Sequence, residues 1–370
     1  MPGLLGDVFI HVTWFDAIAV AALGFIGGVL SGFTGSGGAF FMTPGMMNLG
    51  VTGVVAVGSN VAHRMGNNLM GSLKHAKLGN VDVKLAGWLL VPALVAVRVA
   101  VWINGQLFHL RGGHEGAGEG AVSNLYISAV FVTVLTAVGI FILRDALRSR
   151  HAGDGEGPSM RAANFVSRLR LPPYIYFPVA DVKVSVWLVI VVGLLLGYLD
   201  GTVAIGGFIG VPAMIYLFGV PTAVAPGTEL FLAMFGGALA ALSYAYQGLV
   251  DIRLTLLLLL GSIIGVFVGT YGTKVVREVL IRLVMGTVIL LCVISRALAI
   301  PVYLRQLDLI RFDPVLEPWF NGASTAMLFA AGLGGAGLIL INVVQARLAQ
   351  RRIHSTLRIS RPVSESSKGA

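Results

Sequence analysis

The chain holds a single cysteine, Cys292, in 370 residues. A lone thiol forms no intrachain disulfide and no multi-cysteine metal site, so a disulfide scaffold and a zinc-finger-like module are both excluded. Charge is scarce too: Asp, Glu, Lys and Arg make up 12% of the residues, about half the share of a soluble domain. That is too little to coat a globule of this size, which excludes an ordinary water-soluble protein. Two catalytic signatures are missing. Neither a His-Glu-x-x-His zinc motif nor a Gly-x-Ser-x-Gly nucleophile elbow occurs, which argues against metalloprotease and hydrolase chemistry. Lys and Arg are absent from the first part of the chain: the earliest is Arg64, whereas Asp7 and Asp16 are acidic.

What is abundant is apolar. Hydrophobic residues are 56% of the chain, and mean hydropathy is +0.86. The 49 glycines follow no collagen-like period and suit close helix packing inside a bilayer. Runs long enough to cross about 30 Å of hydrocarbon fall near 14–34, 83–104, 123–143, 184–204, 254–273, 279–300 and 319–343. Two more, 54–73 and 223–246, are apolar with polar residues among them, and 36–52 and 206–221 are short, Gly-rich and interrupted by Pro44, Pro212 and Pro221. The start lacks the basic region of a cleaved signal peptide, so the first run is expected to remain as a span.

The net charge of +9 is concentrated. Seven basic and four acidic side chains lie between Arg144 and Lys183, and six basic and one acidic between Arg347 and the end. Together these stretches carry +8 of the +9. They flank apolar runs rather than interleaving with aromatics, so the positive-inside rule explains them and a nucleic-acid partner is not expected. The reading puts the N-terminus outside, and the 144–182 linker and the 347–370 tail in the cytoplasm of a multi-pass cell-membrane protein. The loop at 106–122 carries His109, His114, Glu115 and Glu119 without metal-ligand spacing; it reads as a solvated external loop, and no metal or cofactor is expected.

The chain repeats itself. A shift of 169 residues aligns 24–85 with 193–254, with 18 identities in 62 positions, eight of them glycines. Gly24, Gly28 and Gly32 meet Gly193, Gly197 and Gly201; Gly37 and Gly38 meet Gly206 and Gly207. The basic stretch 74–77 has an uncharged counterpart at 243–246. If one faces the cytoplasm and the other the outside, the halves are inverted about an axis in the membrane plane, as in many secondary transporters. The expected fold is therefore all-α and polytopic, with two inverted-topology helical repeats at 1–143 and 183–300, each containing a Gly-broken or re-entrant segment. An external loop and extra membrane helix follow at 301–346.

Each glycine stripe runs into a glycine pair that frees backbone N–H groups, a potential anion cradle at membrane depth. Ser36, Gly37 and Gly38 form one, Gly206 and Gly207 the other. On 54–73, Asn60, His63, Arg64, Asn67 and Asn68 share one helical face that Gly71, Lys74 and His75 extend. Such a row cannot face lipid, where a mid-span Arg costs at least about 2.5–3.5 kcal/mol. It lines a polar cavity, or it is an interhelical network in which Asp200 or Glu229 neutralises Arg64. Its donors suit an oxyanion. In the second copy Ser31 becomes Asp200 and Asn60 becomes Glu229. Intramembrane acids serve as proton relays, so Glu229 or Asp200 is the expected proton-coupling residue; the alternative is a permanent ion pair with Arg64. Arg98 and Arg296 also fall inside spans: Arg296 is expected to snorkel out from near a helix end, and Arg98 to be a second anion contact.

These residues resemble the TauE/SafE family of sulfite- and organosulfonate-exporter-type permeases. One copy reads Leu30-Ser31-Gly32 through Gly35-Ser36-Gly37-Gly38, Pro44, then Ala56-Val57-Gly58-Ser59-Asn60; the other reads Leu199-Asp200-Gly201 through Ile205-Gly206-Gly207, Pro212, then Ala225-Pro226-Gly227-Thr228-Glu229. The resemblance implies a permease for small sulfur-containing or carboxylate anions, such as sulfite, thiosulfate or an organosulfonate. It puts the glycine turns and the Ser59-Asn60 and Thr228-Glu229 steps near the substrate. Asp200 and Glu229 are acids where the family usually has small hydroxyl or amide residues. An anion channel would use the same cavity; an intramembrane enzyme or a metal-ion transporter built on His63, His75 and the methionines is disfavoured by the scattered Met positions and the missing orienting acid.

Overall fold

The computed structural model describes residues 13–34, 38–110, 120–152, 171–273 and 278–359. The first repeat comprises α1 (Trp14–Thr34), α2 (Ala39–Asn48), α3 (Gly53–Lys77) and α4 (Val83–His109), followed by α5 (Ala121–Ala152). A two-stranded antiparallel hairpin, β1 (Tyr174–Phe177) and β2 (Val182–Ser185), leads into the second repeat. That repeat contains α6 (Val186–Val203), α7 (Gly206–Ala213, continued by a π turn over Met214–Phe218), α8 (Ala225–Tyr246) and α9 (Ile252–Thr273). Two further helices complete the described chain, α10 (Glu278–Gln306) and α11 (Glu317–Ile359). Eight of these helices are long and apolar enough to cross a membrane. The protein is an all-α polytopic membrane protein. Helix α3 is long enough as well, about 37 Å at 1.5 Å per residue, but its polar face lowers its hydropathy.

Glycine punctuates both copies alike. Gly50 and Gly219, with φ of 87° and 77°, end the short helical segments; Gly79 and Gly248, both at 73°, end α3 and α8. Left-handed backbone at a helix end favours glycine, which explains why these residues hold register across the 169-residue shift.

The contacts between copies are reciprocal. Gly24, Gly28 and Gly32 of α1 lie on the backbone of Leu258, Ser262 and Val266 in α9, whereas Gly193, Gly197 and Gly201 of α6 lie against Leu89, Ala93 and Val97 in α4. Each set is the other moved by 169 residues. A Cβ at Gly28 or Gly197 would overlap the facing backbone, so the stripe permits backbone-to-backbone contact that side chains would forbid. Helices α3 and α8 pack antiparallel at the centre. The Asp251 N–H donates to Ser59 Oγ, and the Asp82 N–H donates to Thr228 Oγ1, both at 3.0 Å. The N-terminal part of each helix thus holds the loop that follows the other helix.

One of those loops also carries the hairpin. Asp82 Oδ1 caps α4 by accepting from the Leu85 N–H at 2.9 Å, and its Oδ2 accepts from the N–H groups of Val179 and Ala180 at 3.1 and 3.0 Å. Lys84 Nζ donates to the Tyr176 carbonyl at 2.9 Å. Helices α5, α10 and α11 flank the repeats. Asp145 of α5 accepts from Arg282 of α10 at 2.6 Å and from Tyr216 at 2.9 Å. Helix α5 runs on to Ala152, into the stretch expected as linker. At about 64 Å, α11 is roughly twice the hydrocarbon thickness.

Candidate anion site between the repeats

Arg64 lies at the centre. Helix α3 carries it toward the break between α6 and α7, where Val203 ends one helix and Gly206 starts the next. Ala204, between them, takes a left-handed φ of 62°, and its carbonyl accepts from Arg64 Nη1 at 2.5 Å. The same nitrogen donates to Asp200 Oδ1 at 2.6 Å. The residues are 4% and 5% exposed, so the pair is buried. A Cβ at Gly207 would press on Arg64 Nη2, and one at Gly210 on the Glu229 carboxylate. The glycines of this break therefore make room for charged groups.

On one side of the pair opens a cavity of about 430 Å³, within the range of ligand pockets. Its polar wall is the face anticipated on α3: His63, Arg64, Asn67, Asn68, Lys74 and His75 all line it. Ser31 and Gly38 contribute from α1 and the start of α2, and Leu230, Ile263 and Phe267 supply apolar wall from α8 and α9. Two donors there, Arg64 Nε and Asn68 Nδ2, are buried without a hydrogen-bond partner among the described residues. Buried donors are rarely left so. His63 Nε2 meets Ser262 Oγ at 2.7 Å, and Asn67 Nδ2 lies 3.2 Å from that nitrogen and 3.3 Å from the hydroxyl, so Ser262 orients the imidazole and the carboxamide together. On the other side of the pair is a narrow cavity of about 20 Å³, room for roughly one water. Asp200, Gly206, Gly207 and Glu229 line it, with Ala93 and Val97 of α4. Glu229 is 3% exposed, and its Oε2 is without a partner among the described residues.

Several anticipated residues take other places. Ser59 and Thr228 line neither cavity; their hydroxyls accept the backbone N–H groups that fasten the two copies. Asn60 Nδ2 turns to Thr43 Oγ1 at 2.8 Å and the Ala39 carbonyl at 3.3 Å, tying α3 to α2. Ser36 and Gly37 lie outside the described residues, as do His114, Glu115 and Glu119 of the 106–122 loop. Arg296 does not snorkel: it is 1% exposed, donating through Nη2 to Asn48 Oδ1 at 2.8 Å and stacking over Tyr303 at 5.9 Å. Here α11 covers the helix end through which it would have reached out: Ser324 bonds Ser295 and Asn48. Sequence reasoning missed Ser262 and Thr43; the signal for the first is a lone hydroxyl beside Gly261 in an apolar run.

A buried cation at the end of a ligand-sized cavity in a helical membrane protein suits a membrane transporter, and the relatives are named as such. The chain belongs to the sulfite exporter TauE/SafE family, whose pattern matches residues 20–296. It is similar to the probable membrane transporter protein YjnA of Bacillus subtilis (strain 168), 26% identical over 275 residues covering 74% of this chain and 97% of the relative. The probable membrane transporter protein YunE of the same organism is 25% identical over 289 residues, 74% of this chain and 94% of that one. No solved structure matches the chain. Helix α11 lies beyond the family match.

Proposed function

We propose that the protein is a cell-membrane permease for a small oxyanion, of the sulfite, thiosulfate, organosulfonate or small carboxylate type, bound between the repeats at Arg64. The observation that carries this reading is the cavity ending on Arg64, with two donors in its wall, Arg64 Nε and Asn68 Nδ2, that have no partner among the described residues. A planar guanidinium and carboxamides match the fork of an oxyanion. His63 and Asn67 complete the cradle, and Lys74 and His75 draw anions into the mouth. The glycine break at Gly206 and Gly207 and its counterpart around Gly38 give the site backbone access.

Glu229 is the proton-coupling residue in this reading. Asp200 is committed to Arg64, whereas Glu229 Oε2, beside the same guanidinium, has no partner among the described residues. The halves are inverted relative to the membrane. Support comes from the antiparallel pairing of α3 with α8 and from the basic residues Lys84 and Lys183 gathered at the hairpin end, which the reading makes cytoplasmic. A channel would need one continuous path, and the Arg64–Asp200 pair separates the two cavities.

Uptake into proteoliposomes with a panel of sulfite, thiosulfate, methanesulfonate and small carboxylates tests the reading. Arg64→Ala is expected to abolish transport of the preferred anion, and Glu229→Gln to remove its dependence on a pH gradient while binding persists. Wild-type transport by Arg64→Ala would refute the site.

A further inference from the structure

The narrow cavity is the counterpart of the wide one. Under the 169-residue shift, Ser31, Gly38, His63, Arg64 and Asn67 of the wide cavity fall on Asp200, Gly207, Leu232, Ala233 and Gly236. All five line the narrow cavity. The wall from α9 is matched too, since Val266 falls on Val97, and each lines its own cavity. One frame thus occurs twice, wide at about 430 Å³ on one side and narrow at about 20 Å³ on the other. Between them stands the Arg64–Asp200 pair, with Arg64 facing the wide side and Asp200 the narrow one.

The mouths differ in where their positive charge comes from. At the wide mouth it is Lys74 on α3, with Phe267 on α9 opposite. Their counterparts are Ser243 and Arg98, and these two are bonded: Arg98 Nη1 donates to Ser243 Oγ at 3.3 Å. Arg98 lies mid-way along α4, exposed among Trp88, Val91, Val95, Val99 and Trp102. An arginine on such an apolar face at the bilayer centre is costly unless water reaches it. A water-filled vestibule opening beside Ser243 would supply that water. Packing leaves space for one: a Cβ at Gly236 or Gly237 would meet its nearest heavy atom only at 3.9 Å.

We propose that the narrow cavity is the closed half of the anion's path, and that Arg98 is the anion contact at its mouth. The wide and narrow states exchange between the repeats, and the Arg64–Asp200 pair re-forms as the partition moves. This rests on the reading that the wide cavity takes the anion, and it adds a binding residue and a second opening on the opposite face of the membrane.

Cysteine accessibility tests it without knowledge of the substrate. In a Cys292→Ser background, Asn68→Cys and its counterpart Gly237→Cys are introduced singly and reacted with two impermeant methanethiosulfonates in oriented vesicles. One reagent is an ethylsulfonate anion, the other an ethyltrimethylammonium cation. Asn68→Cys is expected to react from one side and Gly237→Cys from the opposite side. At Gly237→Cys the anion should be favoured by about tenfold over its intrinsic rate ratio, as a local positive field gives. Arg98→Ala should erase that preference and Arg98→Lys should keep it. Reaction of both cysteines from one side, an unreactive Gly237→Cys beside a reactive Asn68→Cys, or a preference indifferent to Arg98→Ala would each overturn the proposal. Opposite-side labelling with wild-type transport by Arg64→Ala would instead fault only the binding reading.

Discussion

Replacing Asp200 with Asn removes the carboxylate paired with Arg64 and leaves the shape of the site nearly intact. In the wild type Arg64 Nη1 has two acceptors, Asp200 Oδ1 at 2.6 Å and the Ala204 carbonyl at 2.5 Å, and both side chains are almost wholly buried. Asp200→Asn keeps a neutral acceptor but strands the guanidinium charge. Stranding one member of a buried pair costs about 3–5 kcal/mol. Spread over the unfolding entropy of a chain this long, the middle of that range is a fall of about 5 °C in melting temperature. Melting of purified protein in detergent, followed by tryptophan fluorescence, measures it. Two companions sharpen the test. A saturating concentration of the anion that the proteoliposome panel selects should recover part of the loss in Asp200→Asn, because an anion at Arg64 restores the missing charge and binds only the folded state. The double variant Arg64→Leu with Asp200→Leu should melt above either single leucine variant, since neither charge is then stranded. An unchanged melting temperature for Asp200→Asn, or identical losses with and without that anion, would refute the assignment of Arg64 as a buried, anion-receptive cation.

Ser59→Ala and Thr228→Val each leave a backbone N–H of the opposite copy unpaired, at Asp251 and Asp82 respectively. Each is expected to cost about 1–3 kcal/mol in stability with the KM for the transported anion unchanged; a raised KM without loss of stability would return these hydroxyls to the binding site. Gly197→Ala puts a methyl into the Ala93 backbone, whereas Gly334→Ala on α11 meets nothing within 4 Å. The first is expected to lose about 1–3 kcal/mol and the second to be neutral, as measured by melting and by yield from membranes; equal behaviour would refute the packing role of the stripe.

The residues of α3 illustrate how much a linear reading can reach. Periodicity alone put His63, Arg64, Asn67, Asn68, Lys74 and His75 on one face, and that face is the cavity wall, because helical geometry is local and a polar row has nowhere else to go in a lipid-surrounded helix. Asn60 obeyed the same period yet turned to Thr43 and Ala39, since α2 packs over that turn. Ser262, Thr43 and the bonds of Ser59 and Thr228 were out of reach, because each depends on which distant segment crosses at that height.

By itself the sequence determined the membrane setting, the duplication and the glycine register, through composition, run length and a repeat that needs no coordinates to be seen. Sequence left Asp200 and Glu229 as equal candidates to partner Arg64. Tertiary structure chose Asp200, through the break at Ala204 that brings α6 against α3. It also decided that the repeats interlock, with α1 on α9 and α6 on α4, and that one of two matching cavities is wide while the other is narrow. The physical reason is the same in each case: ion-pair choice, close backbone contact and cavity volume are set by ångström distances between segments far apart in the chain, which spacing along one segment does not encode.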